Sequence, residues 1–409
     1  MKYVIIGNST AAVGAVEGIR QIDGSGEITV ISNEKHHTYS RPLISYLLQG
    51  KTDMERMKYR PNDFYEKNGC RTILGKKVIC IRKEVKSVLL DDGSEIPYDR
   101  LLVATGSSPF IPGFEGLDSV GFKYAFMTLD DALSLKEVIG PDKRVLIIGA
   151  GLIGLKCAEG IAKHVKSITI IDLSTRILSS ILDDSSAEMV QKHIEKFNID
   201  FILGQSVSRF DGQTAYLNSG SKVDFDILVV AVGVRPNISL ISDIGGETNR
   251  GIVTDEYMMT SIDGIYAAGD CTESYDVSCG QRRVLALLPN AYRQGECAGI
   301  NMAGGEKKFD RAIPMNAIGF FGLHMITAGS YTGDIHENIG DGSLKKLFYD
   351  DDQLRGYILV GDVEKAGIYT SLIQNRVSLD DVDFGLICEK PSLMAFSRKY
   401  RQQKLGGVV

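Results

Sequence analysis

At 409 residues the chain is too long for one ordinary domain, because domains run to about 100–200 residues, and we expect two to four. Its 44% hydrophobic and 24% charged residues are typical of a soluble globular protein, and a net charge of -6 argues against a nucleic-acid-binding surface. No apolar run reaches the ~18–20 residues that span a bilayer, and the N-terminus has the pattern of a strand instead of a secretory leader. We therefore expect a cytoplasmic protein without a membrane span. Seven cysteines without a CxxC pair predict neither a disulfide framework nor a metal or iron–sulfur site.

The chain opens with a strand, a tight turn and a helix. Residues 2–7 are largely apolar and end in glycine, which is typical of a parallel strand that is buried on both faces. A helix rich in small residues is expected over 11–19 and a second strand over 27–31. This βαβ order predicts a dinucleotide-binding domain.

The same pattern returns in the middle of the chain. Residues 144–149 repeat the apolar run that ends in glycine, a helix is expected over 154–162, and a strand over 167–172. Two βαβ units this far apart predict two dinucleotide-binding domains.

The remaining segments have weaker patterns. Residues 71–97 and 201–230 alternate apolar and polar side chains, which predicts a β-meander in each. Strand patterns at 345–349 and 354–359 flank an acidic turn and predict a hairpin, which a polar helix over 364–374 follows. We expect a smaller α+β domain here, with a loosely held basic tail after Pro391.

Residues 7–12 are a variant of the GxGxxG fingerprint. Gly7 permits the tight turn and Ala12 is small enough for close helix–strand packing, whereas Ser9 stands where backbone normally approaches a pyrophosphate. The segment predicts nucleotide binding, with an ordinary βα turn as the alternative. Glu34 follows at a spacing close to the ~20 residues expected for an acid that binds the ribose, and Asn33 is the alternative in the same turn.

The second fingerprint, at 149–154, is complete. A helix that begins there offers unpaired N–H groups and the positive end of its dipole to a pyrophosphate. Asp172 ends the next strand, where a carboxylate accepts a hydrogen bond from a ribose 2′-OH and repels a 2′-phosphate, which favours NADH over NADPH. Arg176 leaves an alternative open, since an arginine four residues on could reach a 2′-phosphate, although we favour a capping or surface role.

Three further segments, at 104–109, 231–237 and 264–271, each end a strand with a glycine turn. With the two fingerprints they make five ordered motifs, and on these the chain resembles the two-dinucleotide flavoproteins of the pyridine nucleotide-disulfide oxidoreductase superfamily over roughly residues 1–315. The resemblance implies an α/β fold with two Rossmann-like dinucleotide-binding domains and a small α+β C-terminal domain. It implies that FAD binds to 1–110 and 246–315, that NAD(H) binds to 111–245, and that 316–409 form the C-terminal domain.

The resemblance also assigns residues to the two cofactors. Asp270 would hydrogen-bond the ribityl chain of FAD, and a helix that starts near Pro289 would face the flavin and stabilise negative charge on its reduced form. The implied FAD residues are Gly7, Ser9, Thr10, Ala11, Ala12, Asn33, Glu34, Arg41, Pro42, Val78, Ala104, Thr105, Gly106, Gly269, Asp270, Pro289, Asn290 and Ala291. The implied NAD residues are Gly149, Gly151, Leu152, Ile153, Gly154, Asp172, Val232 and Gly233.

One departure from the superfamily narrows the chemistry. Its disulfide reductases carry a redox-active cysteine in the segment that matches residues 39–46, whereas the first cysteine here is Cys70. Without a thiolate there is no nucleophile for disulfide exchange. The sequence Tyr-Ser-Arg-Pro-Leu in this segment instead resembles the branch of NADH:rubredoxin reductases, ferredoxin reductases and the flavin portion of assimilatory nitrite reductase.

Four residues are candidates beside the flavin, although no catalytic residue is assigned with certainty. Arg41 and Pro42 would border the ring, with a simple turn-closing role as the alternative. Tyr46 stands where the branch commonly has lysine, and it either shields the ring or packs in the core. Lys156 stands where the family often has glutamate, and it would pair with a different acid or with the cofactor.

We therefore expect an FAD-dependent NADH oxidoreductase. It would pass hydride from NADH to FAD and then single electrons to a small electron-carrier protein, either rubredoxin or an iron–sulfur protein. The alternatives are an NADH oxidase or diaphorase that acts on oxygen or a small acceptor, and a flavin subunit of a larger redox complex. An oligomer is compatible with the sequence, and His36 and His37 are expected in a solvated turn.

Overall fold

The first strand, helix and strand of the chain form the expected βαβ unit. The computed structural model describes residues 1–398, 400 and 401. A 3-10 turn at Arg41–Leu43 leads into the second helix, with Pro42 in the first turn, where a missing N–H costs nothing. The elements up to residue 109 are β1 (Lys2–Ile6), α1 (Thr10–Ile22), β2 (Glu27–Ser32), α2 (Ile44–Leu48), α3 (Phe64–Lys67), β3 (Cys70–Leu74), β4 (Val78–Arg82), β5 (Ser87–Leu90), β6 (Glu95–Pro97), β7 (Arg100–Val103) and β8 (Ser107–Pro109).

The middle of the chain repeats this order around the second fingerprint. Helix α4 (Leu129–Val138) begins with a capping box at Thr128, in which side chains satisfy backbone N–H groups that a helix start leaves unpaired. The elements are β9 (Lys123–Tyr124), α4 (Leu129–Val138), β10 (Arg144–Ile148), α5 (Leu152–Ile161), β11 (Ser167–Asp172), α6 (Asp184–Ile194), β12 (Ile199–Leu203), β13 (Val207–Asp211), β14 (Thr214–Leu217), β15 (Lys222–Asp224), β16 (Ile227–Val230), β17 (Val234–Pro236) and α7 (Ser239–Ser242).

The last part of the chain contains one long helix and then mostly strands. Its elements are β18 (Ile252–Val253), β19 (Ile265–Ala267), β20 (Thr272–Asp276), β21 (Gln281–Val284), α8 (Leu288–Met302), β22 (Met315–Phe320), β23 (Leu323–Gly329), β24 (Asp334–Gly340), β25 (Ser343–Tyr349), β26 (Leu354–Val360), α9 (Ala366–Gln374) and α10 (Phe384–Glu389). Within the described residues, no helix is both long enough and apolar enough to cross a membrane.

Two five-stranded parallel sheets confirm the two predicted βαβ units. Their strand orders are β19-β7-β1-β2-β3 and β12-β11-β10-β16-β9. The two predicted meanders are partly wrong, because β3 and β12 are parallel edge strands of these sheets and β16 pairs with β10. Both edge strands are only partly buried and include polar residues, so they lack the continuous apolar run that marks a parallel strand buried on both faces. The rest of each segment forms the expected antiparallel sheets, β4-β5-β6 and β13-β14-β15.

The chain leaves the first sheet through β8 and returns through β17. These two strands pair antiparallel, with Ser107 opposite Pro236. Beyond the strands, Asn237 Nδ2 donates to the Thr105 carbonyl at 2.9 Å, and Thr105 Oγ1 donates to the Asn237 carbonyl at 2.8 Å. The segment that contains the second sheet therefore begins and ends at one place.

Helices α1 and α8 pack with their backbones in direct contact. A Cβ on Gly14 or Gly18 would collide with carbonyl oxygens of α8, and a Cβ on Gly295 or Gly299 would collide with carbonyl oxygens of α1. We call these four residues the glycine seam. The seam brings the start of α8 close to the start of α1, and the helices form a core with β1.

The chain divides into two compact units. One comprises Met1–Ser274 and Ala286–Phe309, and the other comprises Tyr275–Leu285 and the chain from Asp310 onwards. In the second unit the five-stranded antiparallel sheet has the order β22-β23-β26-β25-β24, and the predicted hairpin is confirmed as β25 and β26. The boundaries of the FAD-binding segments at 1–110 and 246–315, and of the NAD(H)-binding segment at 111–245, remain predictions.

Two expectations for the second unit are wrong. Helix α9 was expected to be polar, but Tyr369, Leu372 and Ile373 are buried in the core of this unit. The tail was expected to be loosely held after Pro391, but Ala395 and Phe396 are buried in the same core. Single apolar residues in a basic segment give no periodicity from which burial can be predicted. Residues 399 and 402–409, which include the end of this tail, lie outside the described residues.

Replacing Gly295 with alanine is expected to lower the free energy of unfolding by about 1–3 kcal/mol, because the new methyl group collides with the Ala11 carbonyl. Gly367 in α9 is the control, since a Cβ there meets nothing within 4 Å. Alanine at that position is expected to be neutral or to stabilise by about 0.5–1 kcal/mol. Chemical denaturation measures both values, and equal effects of the two substitutions would contradict the packing argument.

Candidate functional site

A cavity of about 480 Å³ lies at the carboxyl ends of the strands of the first parallel sheet. This is where ligands bind in open α/β sheets. The starts of α1 and α8 both contribute residues to its wall. The predicted FAD residues that line the cavity are Gly7, Ser9, Thr10, Ala11, Asn33, Glu34, Arg41, Val78, Ala104, Thr105, Gly106, Gly269, Asp270 and Ala291.

Four predicted FAD residues do not line this cavity. Ala12 is buried in α1 against the core, and Asn290 is buried in the first turn of α8. Pro42 and Pro289 are exposed in the turns where α2 and α8 begin. These four residues are therefore close in sequence to residues that line the cavity, such as Ala11, Arg41 and Ala291, but do not line it themselves.

The first fingerprint turn exposes a helix N-terminus to the cavity. Gly7 has φ +128°, and a Cβ there would collide with the Ala104 carbonyl, so a side chain is excluded. Ser9 is the N-cap of α1, yet its side chain makes no capping hydrogen bond and lines the cavity. The N–H groups of the first turn and the Ser9 hydroxyl suit a pyrophosphate. These residues fit a dinucleotide such as FAD.

A partly buried network fixes the predicted ribose-binding acid. Tyr39 Oη donates to Glu34 Oε2 at 2.6 Å, and Arg41 forms an ion pair with the other oxygen of Glu34. Arg41 also donates to the Met127 carbonyl at 3.1 Å, and the Leu129 N–H donates to Tyr39 Oη at 2.9 Å. Burial raises the pKa of the Tyr39 hydroxyl, which keeps it a donor. The carboxylate of Glu34 is thus held in place at the edge of the cavity.

Asp270 is a second acidic residue that lines the cavity. Burial raises the pKa of its carboxyl group, and the nearby guanidinium of Arg41 opposes this effect. The preceding peptide is fixed, because the Gly269 N–H donates to Gln294 Oε1 at 2.7 Å and Gln294 also donates to Ser274. A buried carboxylate that accepts hydrogen bonds from ligand hydroxyls would regain part of the solvation that it loses on folding.

Several lining residues were not predicted from the sequence. The solvated turn expected for His36 and His37 is only partly right, since both lie in irregular backbone but are only partly exposed and line the cavity. His36 Nε2 lies 2.8 Å from Asp130 Oδ1, and Asn8 Nδ2 donates to the His36 carbonyl at 3.1 Å. No spacing rule covers two histidines after a ribose-binding acid. Several of the other missed residues lie in segments that the sequence had already indicated, among them Asn8 in the first fingerprint, Tyr39 before Arg41 and Asn237 after the second sheet. The other residues missed are Ile6, Asn8, Ile31, Ser32, Tyr39, Lys76, Lys77, Ile79, Ser107, Ser108, Met127, Asn237, Ser239, Leu240, Ala268 and Leu288.

The three glycines of the second fingerprint have three different environments. Gly149 has φ +113°, and a Cβ there would collide with the Ala231 carbonyl. A Cβ on Gly154 would collide with the Gly149 carbonyl, so this glycine is required for close helix–strand packing. Gly151 caps α5 in an extended conformation, and a Cβ there would meet nothing within 4 Å. The protein itself does not require a glycine at 151, whereas an approaching pyrophosphate does.

The other predicted NAD residues lie around this helix start. Leu152 and Ile153 begin α5, and Val232 and Gly233 follow β16, which is adjacent to β10 in the sheet. At the end of β11, Asp172 accepts from the Ala150 N–H at 2.6 Å and from the Ser174 N–H at 2.7 Å. The fingerprint turn itself therefore orients the carboxylate.

Arg176 is engaged in its own loop. It donates to the Leu182 carbonyl at 3.1 Å and forms an ion pair with Asp184 at 3.1 Å. These contacts support the capping or surface role that the sequence favoured for Arg176 over binding to a 2′-phosphate.

Gly151→Ala is expected to leave the free energy of unfolding unchanged and to weaken binding of the nicotinamide nucleotide by roughly tenfold, about 1.4 kcal/mol. The reason is that the methyl group enters space that is open in the protein but needed by a pyrophosphate. Gly154→Ala is the matched control, and it is expected to destabilise by about 1–3 kcal/mol. Calorimetric titration with NAD⁺ and denaturation separate the effects; wild-type affinity in Gly151→Ala would contradict the assignment.

Asp270→Asn is expected to stabilise the flavin-free protein at neutral pH. Because burial raises the pKa of Asp270, the folded state binds the proton more tightly than the unfolded state does. The free energy of unfolding therefore falls as the pH rises above about 3.9, the ordinary aspartate value, and asparagine removes this loss. Urea denaturation from pH 4 to 8 should show a gain that grows with pH. Exposed Asp263→Asn is the control, and a gain in Asp270→Asn that is independent of pH would refute the argument.

The chain matches the family model of pyridine nucleotide-disulphide oxidoreductases over residues 1–295. The NADH-dependent phenylglyoxylate dehydrogenase subunit epsilon of Aromatoleum evansii is 33% identical to it, over 92% of each chain. The assimilatory nitrate reductase electron transfer subunit of Bacillus subtilis (strain 168) is 31% identical over 92% of this chain, which spans 49% of that protein. The rubredoxin-NAD(+) reductase of Pseudomonas putida is 28% identical over 74% of this chain and 80% of that protein.

Solved structures share the fold. The putidaredoxin reductase–putidaredoxin complex contains a chain that matches with a TM-score of 0.88 at 22% identity, over 100% of this chain and 99% of that chain. The NADH:rubredoxin oxidoreductase from Clostridium acetobutylicum matches with a TM-score of 0.76 at 24% identity, over 93% and 96%. These likenesses confirm the predicted α/β fold. The family model and the Aromatoleum relative confirm the predicted family: the chain belongs to the pyridine nucleotide-disulphide oxidoreductases.

Proposed function

We propose that this protein is an FAD-dependent NADH oxidoreductase that passes hydride from NADH to FAD and then single electrons to a small electron-carrier protein. The observation that carries the proposal is that one unit of the chain holds two helix N-termini prepared for pyrophosphates. The N-terminus of α1 opens onto the cavity at Ser9. The N-terminus of α5 begins at Gly151, where a Cβ would meet nothing within 4 Å. A protein that needed one nucleotide would not require both.

The residues of the cavity have distinct roles in this function. Glu34, fixed by Tyr39 and Arg41, accepts from the adenosine ribose, and Asp270 accepts from the ribityl chain. The starts of α1 and α8 direct positive dipole ends into the site. When bound, FAD supplies the chemistry that accepts an electron pair and releases electrons singly. The chain contributes binding, orientation and electrostatics.

Thiol chemistry is not part of the proposal. Cys271 follows Asp270 in sequence, but its side chain is buried in the core, and burial raises the pKa of its thiol to about 11. A protonated thiol is not a nucleophile at neutral pH. Among the described residues, no cysteine lines the cavity.

NADH is favoured over NADPH as the electron donor. The carboxylate of Asp172, oriented by two backbone N–H groups, accepts from a ribose 2′-OH and repels a 2′-phosphate. Arg176 already donates to the Leu182 carbonyl and pairs with Asp184, so its guanidinium is poorly placed to bind a 2′-phosphate.

The relatives indicate the kind of electron acceptor. A rubredoxin-NAD(+) reductase and an electron transfer subunit are both similar to this chain, so we propose rubredoxin or an iron–sulfur protein as the acceptor. We also propose a cytoplasmic location, because the seven cysteines are free thiols, as is usual in a reducing compartment.

A second candidate is a flavin subunit of a larger redox complex. The relative from Aromatoleum evansii is named a subunit of an NADH-dependent dehydrogenase, and the two chains match over 92% of each. In this role the same electron path would end in a partner subunit instead of a diffusing carrier.

Anaerobic titration of the FAD-loaded protein with NADH tests the proposal. We expect NADH to bleach the flavin absorbance with one equivalent per FAD and to do so faster than NADPH, since each carries one hydride and Asp172 disfavours the 2′-phosphate. Added rubredoxin should then restore the absorbance faster than oxygen does. Faster reoxidation by oxygen would favour an NADH oxidase, reduction without turnover of carriers would favour the subunit role, and a protein that binds no FAD would refute all three.

A further inference from the structure

Two lysine side chains lie over the ring of Tyr46. Lys156 Nζ is 4.8 Å from the ring centroid, and Lys51 Nζ is 5.7 Å from it. Both distances are within the range of a cation–π contact. The two cations differ in burial, since the side chain of Lys156 is 14% exposed whereas Lys51 is an exposed residue.

Lys156 is held in place by an acid on its own helix. It forms an ion pair with Glu159, whose side chain is 8% exposed. Removing ions from water is costly, and a buried pair persists only when its geometry is good. The ammonium group of Lys156 therefore occupies one position over the ring, whereas Lys51 retains the freedom of a solvated side chain.

This cluster joins the two cofactor-binding segments. Lys156 lies one turn into α5, the helix that opens with Gly151, and Tyr46 lies in α2, directly after the turn in which Arg41 lines the cavity. The helices approach closely beside the cluster, since a Cβ on Gly160 would lie 3.2 Å from the Ser45 carbonyl. A displacement of Tyr46 by Lys156 would therefore also displace the start of α2 and the adjoining turn, in which Arg41 lines the cavity.

We propose that Lys156, which is fixed by Glu159 and lies over the ring of Tyr46, is a positioning residue. It holds α5, the proposed nicotinamide-binding helix, at a fixed position relative to α2 and the adjoining wall of the proposed flavin cavity. This inference rests on the proposed function. Hydride transfer requires the two rings to be held in a narrow range of distances and angles, so a small displacement of α5 against α2 costs rate without loss of either binding site. The ring face of Tyr46, and not its hydroxyl, carries the effect.

Five variants separate this role from simple packing. Tyr46→Phe retains the ring face and Tyr46→Leu removes it. Lys156→Arg retains the cation. The double variant Lys156→Met/Glu159→Gln removes both buried charges and so avoids an unpaired carboxylate. Lys51→Met is the matched control, because it removes the exposed cation over the same ring.

Three quantities are measured on FAD-loaded protein under anaerobic conditions. The first is the rate of flavin reduction by NADH in stopped flow, and the second is the dissociation constant for NAD⁺. The third is the change in the flavin absorption spectrum when NAD⁺ is added, which requires no turnover. We expect Tyr46→Leu and the double variant to slow reduction by roughly tenfold, with NAD⁺ affinity within about twofold, and to lose most of the spectral change. Tyr46→Phe, Lys156→Arg and Lys51→Met should behave like wild type.

The outcomes distinguish this inference from the function on which it rests. If wild-type flavin is not reduced by NADH, the proposed function fails, whatever the variants do. If wild type is reduced and Tyr46→Leu matches it in rate and spectrum, the positioning role is refuted. Equal losses in Tyr46→Phe and Tyr46→Leu would also refute it, because they would assign the effect to the hydroxyl. Should the double variant not fold, the two Tyr46 variants still decide the question.

Discussion

The architecture of the proposed flavin site depends on how closely α1 and α8 approach. Their backbones touch along the glycine seam, and each helix presents its first turn to the same cavity. Two dipole ends directed at one place create a region of positive potential that no single helix provides. A side chain at any of the four glycines would force the helices apart, and the cavity would lose one of its two charged ends. The close packing of α1 and α8 and the positive potential at the cavity therefore depend on the same four glycines.

Features encoded locally could be predicted from the sequence, whereas features that depend on distant segments could not. An apolar run followed by glycine and a small-residue helix specifies a βαβ unit without reference to the rest of the chain, and both units have that form. The apolar–polar pattern of a strand indicates which of its side chains are buried, but it does not show which strand is its neighbour. The sequence therefore predicts meanders for the segments that contain β3 and β12, whereas both strands belong to the parallel sheets. Asn237 reaches the cavity from 132 residues beyond its partner Thr105, and no local pattern indicates this. His36 was missed because its role follows from Asn8 and Asp130.

Charged side chains in and beside the two sites are arranged before any cofactor arrives. Glu34 is held by Arg41 and Tyr39, Asp172 by two backbone N–H groups, and Lys156 by Glu159. Asp270 differs, because burial leaves its charge partly uncompensated. Fixing charges during folding spares the reorganisation that a flexible site would need at each binding event. The unfavourable environment of Asp270 is the cost of having an acceptor ready for its ligand.

The adjacent strands β8 and β17 have an evolutionary consequence. Because the polypeptide departs and re-enters through two neighbouring strands, the intervening module behaves as a cassette whose termini meet. Such a cassette can be exchanged by recombination for one with another nucleotide preference, since only a two-stranded joint has to match. Lineages of this architecture can thus diversify their source of reducing equivalents while the proposed flavin-binding part is inherited intact.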